Sequence, residues 1–439
     1  MAQVCLEKFR PVHFFGFTHR KLSMGRSDNI LFLPTGVFEM TPAKTDLIRR
    51  LEEAILAVFR LWGYQEVRTP SLEYVDSMSR GLTDSELDMA FKLVDRETGK
   101  VMLLRSDVTP QVARMASLAL SGTPLPLRLC YVADVYRHPD NPGHARREMI
   151  QAGVELLGID DPQADAEVLS VGVEALRAVG LSGVKVSVGQ VQYARGLFEA
   201  AAFDKPMEDL IVETACRKDR STMEKVLSHA DTPSAVKESI LTLTELTGTA
   251  DVLDRAHNTA PNQTARAAIE NLREVMAFAL SYGVDPDILS VDLGELASFH
   301  YHSGTVFTGF VSGAGRAVLK GGRYDDLAGK YGRPAPATGF AIDLLEIVEI
   351  VSGHGKVEPA VDYVLVNRTG DREKGLGLSV DLRSRNRNVL CLIRDIPDED
   401  LGMYAKAHRI GQVLILDHDG LSVLDTENGV KNPCNIEDL

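Results

Sequence analysis

The chain has 439 residues, of which 44% are hydrophobic and 25% charged, and it carries a formal net charge of −14. This length is enough for two or three domains, and the composition is ordinary for a globular protein. The acidic balance argues against a protein that holds nucleic acid by broad electrostatic attraction, because such proteins neutralise phosphates with lysine and arginine. No apolar run reaches the roughly 20 residues of a membrane span, so we expect no membrane contact.

The cysteines are scattered and never form a C-x-x-C pair; they are Cys5, Cys130, Cys216, Cys391 and Cys434. This usage is typical of reduced thiols in the cytoplasm, and it argues against a disulfide framework or a zinc site. We therefore expect a cytoplasmic protein without metal or cofactor. Residues 1–30 lack the apolar stretch of a secretory signal. They are predicted to form a disordered arm, with either Met1 or Met24 as the true first residue.

The main domain is predicted to span residues 31–350. Near its start, Thr41 and Pro42 are a typical helix opening, and an apolar stripe predicts that this helix continues to about Trp62. Helical patterns dominate residues 205–285, which we interpret as a largely helical insertion within the domain.

A loop is predicted over residues 80–86, and a further helix is predicted to open near Thr109. Asp107 or Thr109 can cap that helix. A helix N-terminus is also a favourable place for a ligand, so both interpretations of these two residues stay open.

Residues 127–158 carry the strongest strand signal, since two alternating runs flank the turn-rich sequence HPDNPGH. On the second strand Gln151, Gly153 and Glu155 share one face with Arg147, while the alternate positions are apolar and should pack on a core. The polar face is either an ordinary solvent-exposed sheet face or the floor of a ligand pocket. Gly153 favours the pocket, because a strand glycine often marks the close approach of a ligand or of backbone.

Later segments complete the architecture. Gly321, Gly322 and Arg323 end a predicted strand and are a weak signal for backbone close to a ligand. Residues 356–439 alternate three apolar strands with two helical stretches, which predicts a small α/β domain with parallel strands. It contains neither a G-x-G-x-x-G sequence nor a P-loop.

Three segments in this order resemble the motifs of class II aminoacyl-tRNA synthetases, specifically of the histidyl branch. WGYQEVRTP resembles motif 1, the 127–158 strand pair resembles motif 2, and GGRYDDLAGKYGRPAPATGFAIDLLEI resembles the tyrosine-bearing histidyl segment running into motif 3. The resemblance covers about residues 33–350. It implies an α+β fold with a mostly antiparallel sheet flanked by helices, and a dimer whose interface includes motif 1 and Pro70.

The resemblance also implies a histidine pocket whose positions are mostly kept; these are Asp107, Thr109, Arg137, Gln151, Glu155 and Tyr324. Asp107 replaces the family's usual glutamate, and Arg137 matches the motif 2 arginine that contacts the substrate carboxylate and α-phosphate. Two plainer interpretations remain open, namely that Glu155 is a buried ion-pair partner of Arg147 and that Arg137 simply pairs with an acidic neighbour.

The positions that handle ATP in the family are changed. Ala297 stands in place of the arginine of the histidyl R-G-L-D-Y-Y segment, and Asp343 and Glu346 stand in place of the glycine and arginine of G-L-E-R in motif 3. An anionic side chain facing a triphosphate reverses the sign of the interaction, and losing one preorganised donor typically costs about 10²–10³ in rate. We therefore expect no catalytic residues and no aminoacylation. Nearby, His300 and His302 are interpreted as surface or hydrogen-bonded histidines, not metal ligands.

The sequence retains the residues of the amino-acid pocket but has lost residues of the nucleotide pocket. In this combination it resembles the synthetase-like regulatory subunits of ATP phosphoribosyltransferase. That family implies a non-catalytic protein that forms a hetero-oligomer with a short-form catalytic subunit, acts in the first step of histidine biosynthesis and responds to histidine. The C-terminal domain resembles a reduced anticodon-binding domain, but its acidic tail, including Glu427, Glu437 and Asp438, argues against tRNA binding. A diverged histidyl-tRNA ligase and a stand-alone histidine or tRNA sensor remain as alternatives.

Overall fold

The computed structural model describes residues 33–138, 146–297, 299–352, 359–426 and 428–439. These residues fall into two compact units, which divide between residues 353 and 354. The predicted N-terminal arm, with both candidate starts, lies outside the described residues, as do most of the HPDNPGH turn and Glu427.

A mixed sheet forms the centre of the first unit. Its strands are β1 (Gln65–Glu66), β5 (Leu127–Tyr136), β6 (Glu148–Leu157), β7 (Lys185–Gln190), β8 (Thr247–Gly248), β9 (Leu289–Asp292), β10 (Thr305–Phe310), β11 (Leu319–Arg323) and β12 (Ala337–Asp343). Their spatial order is β1-β5-β6-β12-β11-β10-β7-β9-β8. The pairings are antiparallel, except that β1 lies parallel to β5 and β7 lies parallel to β9. A smaller antiparallel sheet joins β2 (Leu72–Tyr74), β3 (Lys92–Val94) and β4 (Val101–Leu104) in the order β2-β4-β3.

Helices surround these sheets. They are α1 (Pro42–Leu61), α2 (Val75–Met78), α3 (Asp84–Met89), α4 (Thr109–Ser117), α5 (Pro162–Ala178), α6 (Val191–Ala201), α7 (Lys205–Cys216), α8 (Arg220–Ser228), α9 (Ser234–Leu241), α10 (Asp251–Thr259), α11 (Gln263–Ser281) and α12 (Leu344–Ser352). Helices α7 to α11 occupy most of the range predicted to be a helical insertion.

The prediction for α1 is confirmed to within one residue at its C-terminus, because Pro42 sits in its first turn and Gly63 follows it with a φ of +80°. The loop predicted over residues 80–86 is wrong at its end, since α3 begins at Asp84. Its start is fixed by a capping box in which Thr83 accepts from the Glu86 backbone and the Glu86 side chain accepts from the Thr83 backbone.

The apolar face of β6 packs on the main core, as its alternation predicts. Ala152, Val154 and Leu156 are fully buried and share one cluster with apolar residues of α1, α5 and α12. Because side chains alternate across a strand, Gln151 and Glu155 must then point to the other side of the sheet. That side carries the candidate site.

The second unit contains a five-stranded sheet with two helices. Its elements are β13 (Val361–Asn367), α13 (Arg372–Ser384), β14 (Val389–Cys391), α14 (Asp398–Ala407), β15 (Ile410–Asp417), β16 (Gly420–Leu424) and β17 (Lys431–Pro433). Strand β13 lies parallel to both β14 and β15, so the predicted parallel strands are confirmed. The antiparallel pair β16 and β17 at one edge was not predicted. Across the described parts of both units, no helix combines the length and apolar character that crossing a membrane would require.

Candidate ligand site on the polar face of the sheet

Two side chains on the polar face of β6 are buried. Glu155 is 1% exposed and Gln151 is 8% exposed. On the neighbouring strand β12, Gly339 lies opposite Glu155 and Asp343 lies opposite Gln151. The polar face is therefore buried at these two positions and is not an ordinary solvent-exposed sheet face.

The Glu155 carboxylate accepts hydrogen bonds from three hydroxyl groups. The Thr109 hydroxyl donates to Oε1 over 2.6 Å and the Tyr131 hydroxyl donates to the same oxygen over 3.4 Å. The Tyr324 hydroxyl donates to Oε2. Burial raises the pKa of Glu155 to about 8, although these hydrogen bonds oppose the shift. The alternative of a buried ion pair with Arg147 is wrong, because no such contact occurs among the described residues.

Gln151 has a buried side-chain oxygen without a hydrogen-bond partner among the described residues. An unpaired buried acceptor costs about 1–3 kcal/mol. A ligand that donates a hydrogen bond to Gln151, such as an ammonium group, would remove this cost. The position of Gln151 on the same strand face as Glu155 thus gives the site a second point of attachment.

Asp107 and Arg137 form the rim of the site. The Thr109 backbone N–H donates to Oδ1 of Asp107 over 3.0 Å, and Arg137 Nη2 donates to Oδ2 over 3.2 Å. Arg137 also donates from Nε to the Ser106 carbonyl over 2.6 Å. The plainer interpretation that Arg137 pairs with an acidic neighbour is therefore confirmed. Asp107 and Thr109 meet at the start of α4, with Val108 in the N-cap position.

Tyrosine side chains line the site, and two of them were not found from the sequence. Tyr131 and Tyr301 join Tyr324 around Glu155, and burial raises the pKa of all three well above the usual range. The ring centroids of Tyr301 and Tyr324 lie 5.7 Å apart. Tyr131 lies directly opposite Gly153 in the β5–β6 register, which only the structure shows.

Gly153 marks a close approach of backbone, one of the two predicted causes, and it also admits a neighbouring side chain. A Cβ at Gly153 would lie 2.5 Å from the Tyr131 hydroxyl and would also meet the Phe340 carbonyl. Gly321 and Gly322, predicted as a weak ligand signal, also lie close to neighbouring backbone and side chains. A Cβ at Gly321 would lie 2.5 Å from the Gly339 carbonyl, and one at Gly322 would lie 3.0 Å from the His302 ring.

The two histidines of this region are hydrogen-bonded, as predicted. His302 Nδ1 lies 3.2 Å from the Arg323 carbonyl, which can only accept, so Nδ1 carries the proton. Burial lowers the pKa of His302 to about 4, which keeps the ring neutral. His300 is exposed and its Nε2 lies 2.7 Å from Asp209 Oδ1. Within the described ranges, no group of three or more His, Cys, Asp and Glu side chains has a geometry that could hold a metal ion.

The changed ATP positions lie on different elements. Asp343 ends β12, and its Oδ1 accepts from the backbone N–H groups of Leu345 over 3.0 Å and Glu346 over 3.4 Å. Burial raises the pKa of Asp343. Ala297 is exposed and lines a cavity of about 280 Å³ with Lys320 and other residues of β10 and β11.

Motif 1 is exposed at Pro70, whose carbonyl accepts from the Gln111 side chain over 2.7 Å.

Gly339→Ala is expected to destabilise the protein by about 1–3 kcal/mol, the usual cost of overpacking. The new Cβ would collide with the Glu155 carboxylate and would lie 2.6 Å from the Val154 carbonyl. Urea denaturation measures this effect. Gly122→Ala is the matched control, since no atom lies within 4 Å of its added Cβ. Equal losses in the two variants would contradict the packing described here.

The sheet, its flanking helices and the enclosed carboxylate define a class of protein, the histidyl-tRNA synthetase-like proteins. The profile of the family described as histidyl-tRNA synthetase matches residues 36–347. A crystal structure described as an ATP phosphoribosyltransferase regulatory subunit/histidyl-tRNA synthetase from Bacillus halodurans C has the same fold. Its TM-score is 0.78 at 24% identity, over 88% of this chain and 98% of that chain. The predicted class II synthetase-like α+β fold is thus confirmed.

Relatives with similar sequences identify one family within this class of protein. The ATP phosphoribosyltransferase regulatory subunit of Geobacter sulfurreducens is 37% identical over 88% of this chain and 89% of its own length. That of Syntrophotalea carbinolica is 39% identical over 84% of this chain and 86% of its own length. The chain belongs to the histidyl-tRNA synthetase-like family of ATP phosphoribosyltransferase regulatory subunits, as its motifs predicted.

Proposed function

We propose that this chain is a non-catalytic regulatory subunit that works in the cytoplasm with a short-form catalytic ATP phosphoribosyltransferase, in the first step of histidine biosynthesis. The observation that carries the proposal is a contrast between the amino-acid positions and a position expected to handle ATP. The amino-acid positions around Glu155 form an enclosed polar site. The terminal-phosphate position, at the start of α12, holds the buried acid Glu346. Such a site can bind an amino acid but opposes the charge of a triphosphate.

Histidine is the effector that this chemistry favours. A buried carboxylate surrounded by tyrosine hydroxyls suits an imidazole ring, which offers N–H donors and an apolar face. The unpaired acceptor of Gln151 suits the ammonium group of an amino acid, and Arg137, 31% exposed at its side chain, is placed to approach a carboxylate. In this proposal the pocket residues Asp107, Thr109, Arg137, Gln151, Glu155 and Tyr324 bind histidine and transmit feedback inhibition.

The proposed complex is tested by assembly. The purified chain and a short-form catalytic subunit should elute together from a sizing column at a mass above that of either alone. Separate elution at micromolar concentrations would contradict the proposal. A second assay separates it from a diverged histidyl-tRNA ligase, which would catalyse histidine-dependent exchange between ATP and pyrophosphate. The chain should catalyse no such exchange, because Ala297, Asp343 and Glu346 replace the groups expected to handle ATP.

Self-association through the motif 1 region is part of the proposal. One face of the β2-β4-β3 sheet carries apolar side chains that pair across the strands; these are Leu72, Tyr74, Leu93, Met102 and Leu104. Leu72 is 47% exposed and Tyr74 is 38% exposed, and Pro70 leads directly into this face. An exposed apolar sheet face is typical of an interface between chains.

Leu72→Asp is expected to convert the dimer to a monomer, because it buries an unpaired charge in that face. Light scattering after size exclusion measures the mass. Leu376→Asp, at a leucine that is 57% exposed on α13, is the matched control and should leave the mass unchanged. A monomeric wild type, or a dimeric Leu72→Asp variant, would contradict this interface.

A further inference from the structure

Two arginines converge on one buried carboxylate at the start of α12. Arg146 Nη1 lies 3.0 Å from Glu346 Oε1, and Arg316 Nε lies 3.2 Å from the same oxygen. Arg146 precedes β6 and Arg316 precedes β11, so the two guanidinium groups come from different parts of the sheet. The Glu346 side chain is 11% exposed and that of Arg146 is 16% exposed. The ion pair between them is therefore largely shielded from water.

Neighbouring groups extend this arrangement. Arg146 Nη2 lies 3.6 Å from Glu349 Oε1, and Lys44 Nζ lies 3.5 Å from the same oxygen. Asp343 occupies the backbone N–H groups of the first turn of α12, with bonds of 3.0 Å and 3.4 Å. Free N–H groups at a helix start and clustered guanidinium groups are the usual ligands of phosphate. Here the Asp343 carboxylate already accepts from the helix N–H groups, and the Glu346 carboxylate already pairs with the guanidinium groups.

We propose that Glu346 is an internal anion that fills a latent polyphosphate site made by Arg146 and Arg316, and so keeps di- and triphosphates away from the start of α12. A phosphate group entering here has to separate a shielded carboxylate from two guanidinium groups and meets a negative charge as it does so. The arginines alone would attract it. Glu346 is thus a specificity-determining residue, and its side chain takes the place of a ligand phosphate.

The proposal goes beyond the regulatory function and is tested on the isolated chain, without a catalytic subunit. Glu346→Gln keeps the shape of the side chain but removes the charge that pairs with Arg146 and Arg316, and it leaves Arg146 with Glu349. Titration with inorganic tripolyphosphate at low salt in a calorimeter should give at least about a tenfold tighter Kd than wild type, since a close charge contact is worth about 1.4 kcal/mol or more. The gain should fall as salt is added.

Two control variants test whether the gain in tripolyphosphate affinity comes from freeing the arginines or from the change in overall charge. Glu349→Gln removes one negative charge from the same helix at a side chain that is 58% exposed, and it should leave the Kd within twofold of wild type. Glu346→Gln with Arg316→Gln removes one of the two cations and should lose most of the gain. If Glu346→Gln does not unfold cooperatively on heating, Glu346→Ala replaces it.

Two outcomes overturn the proposal. One is a Kd for Glu346→Gln, or for its alanine substitute, that equals that of wild type. The other is an equal gain in the Glu349→Gln variant, which would reduce the effect to overall charge. Failure of the chain to associate with a catalytic subunit would contradict the regulatory function and leave the latent site standing, so the two results are distinguishable.

Discussion

Replacing Glu155 with glutamine is expected to weaken histidine binding by about 10- to 100-fold, the effect of losing a hydrogen bond to a charged group. The variant retains the acceptor oxygen that Thr109 and Tyr131 contact. It loses the oxygen that accepts from Tyr324, and it cannot ionise opposite the imidazole when histidine binds. Isothermal titration with histidine measures the Kd. Glu238→Gln, at an exposed glutamate on α9, is the matched control. Histidine affinity that is unchanged in Glu155→Gln would place the effector elsewhere.

The same substitution is expected to change how stability depends on pH in the absence of histidine. The pKa of Glu155 is about 8 in the folded protein against an ordinary value of 4.5. Between these values the native carboxyl holds a proton that the unfolded chain has lost, so stability falls as pH rises, by up to about 1.4 kcal/mol per pH unit. Urea denaturation at pH 5.5, 6.5 and 7.5, chosen from roughly this window, measures the slope.

Glutamine removes this contribution, so the wild type should become less stable relative to Glu155→Gln with each step up in pH. The difference between the two proteins isolates Glu155, because other titrating groups are common to both. His302 is one such group: its lowered pKa costs stability as pH falls below its ordinary value of 6.5. Parallel pH profiles for the two proteins would show that Glu155 is ionised in the folded state at neutral pH.

Arg323→Met is expected to cost about 3–5 kcal/mol of stability, the usual result of removing one member of a buried ion pair. Arg323 Nε lies 3.0 Å from Asp165 Oδ2, and their side chains are 7% and 1% exposed. Arg323 also contacts Asp325 over 3.2 Å and donates to the Ile159 carbonyl over 3.1 Å. Burial raises the pKa of Asp165 even with the guanidinium present, so removing Arg323 leaves an acid that is costly to ionise.

Urea denaturation of three variants tests this role. Arg217→Met breaks an exposed pair with Glu213, whose side chains are 72% and 55% exposed, and should cost no more than about 1 kcal/mol. Adding Asp165→Asn to Arg323→Met should recover part of the loss, because no buried charge is then left alone. A loss in Arg323→Met as small as that of the surface control would contradict a structural role for Arg323.

Features with a local cause were predictable from the sequence. Alternation alone places Gln151 and Glu155 on one strand face, and a proline in the first turn fixes α1. The capping box at Thr83 and Glu86 is equally local, so the missed helix α3 was within reach of the sequence. The site also contains features with a non-local cause. Which side chain fills the space over Gly153 depends on the register of two strands.

Long-range contacts explain what was missed. Arg323 and its partner Asp165 are 158 residues apart, and Arg146 and Glu346 are 200 residues apart. Residue types do not reveal such pairs before the fold is known. The sequence therefore identified Glu346 as a changed position, and only the structure places Arg146 and Arg316 against it.

The most direct test of the regulatory function is formation of phosphoribosyl-ATP by a short-form catalytic subunit, measured alone, with this chain, and with this chain plus histidine. We predict activity that depends on the chain and falls when histidine is added, with the Glu155→Gln complex active but less sensitive to histidine. Activity that is the same with and without the chain would contradict a regulatory subunit. Activation that histidine does not reduce would retain the subunit and reject the proposed histidine site.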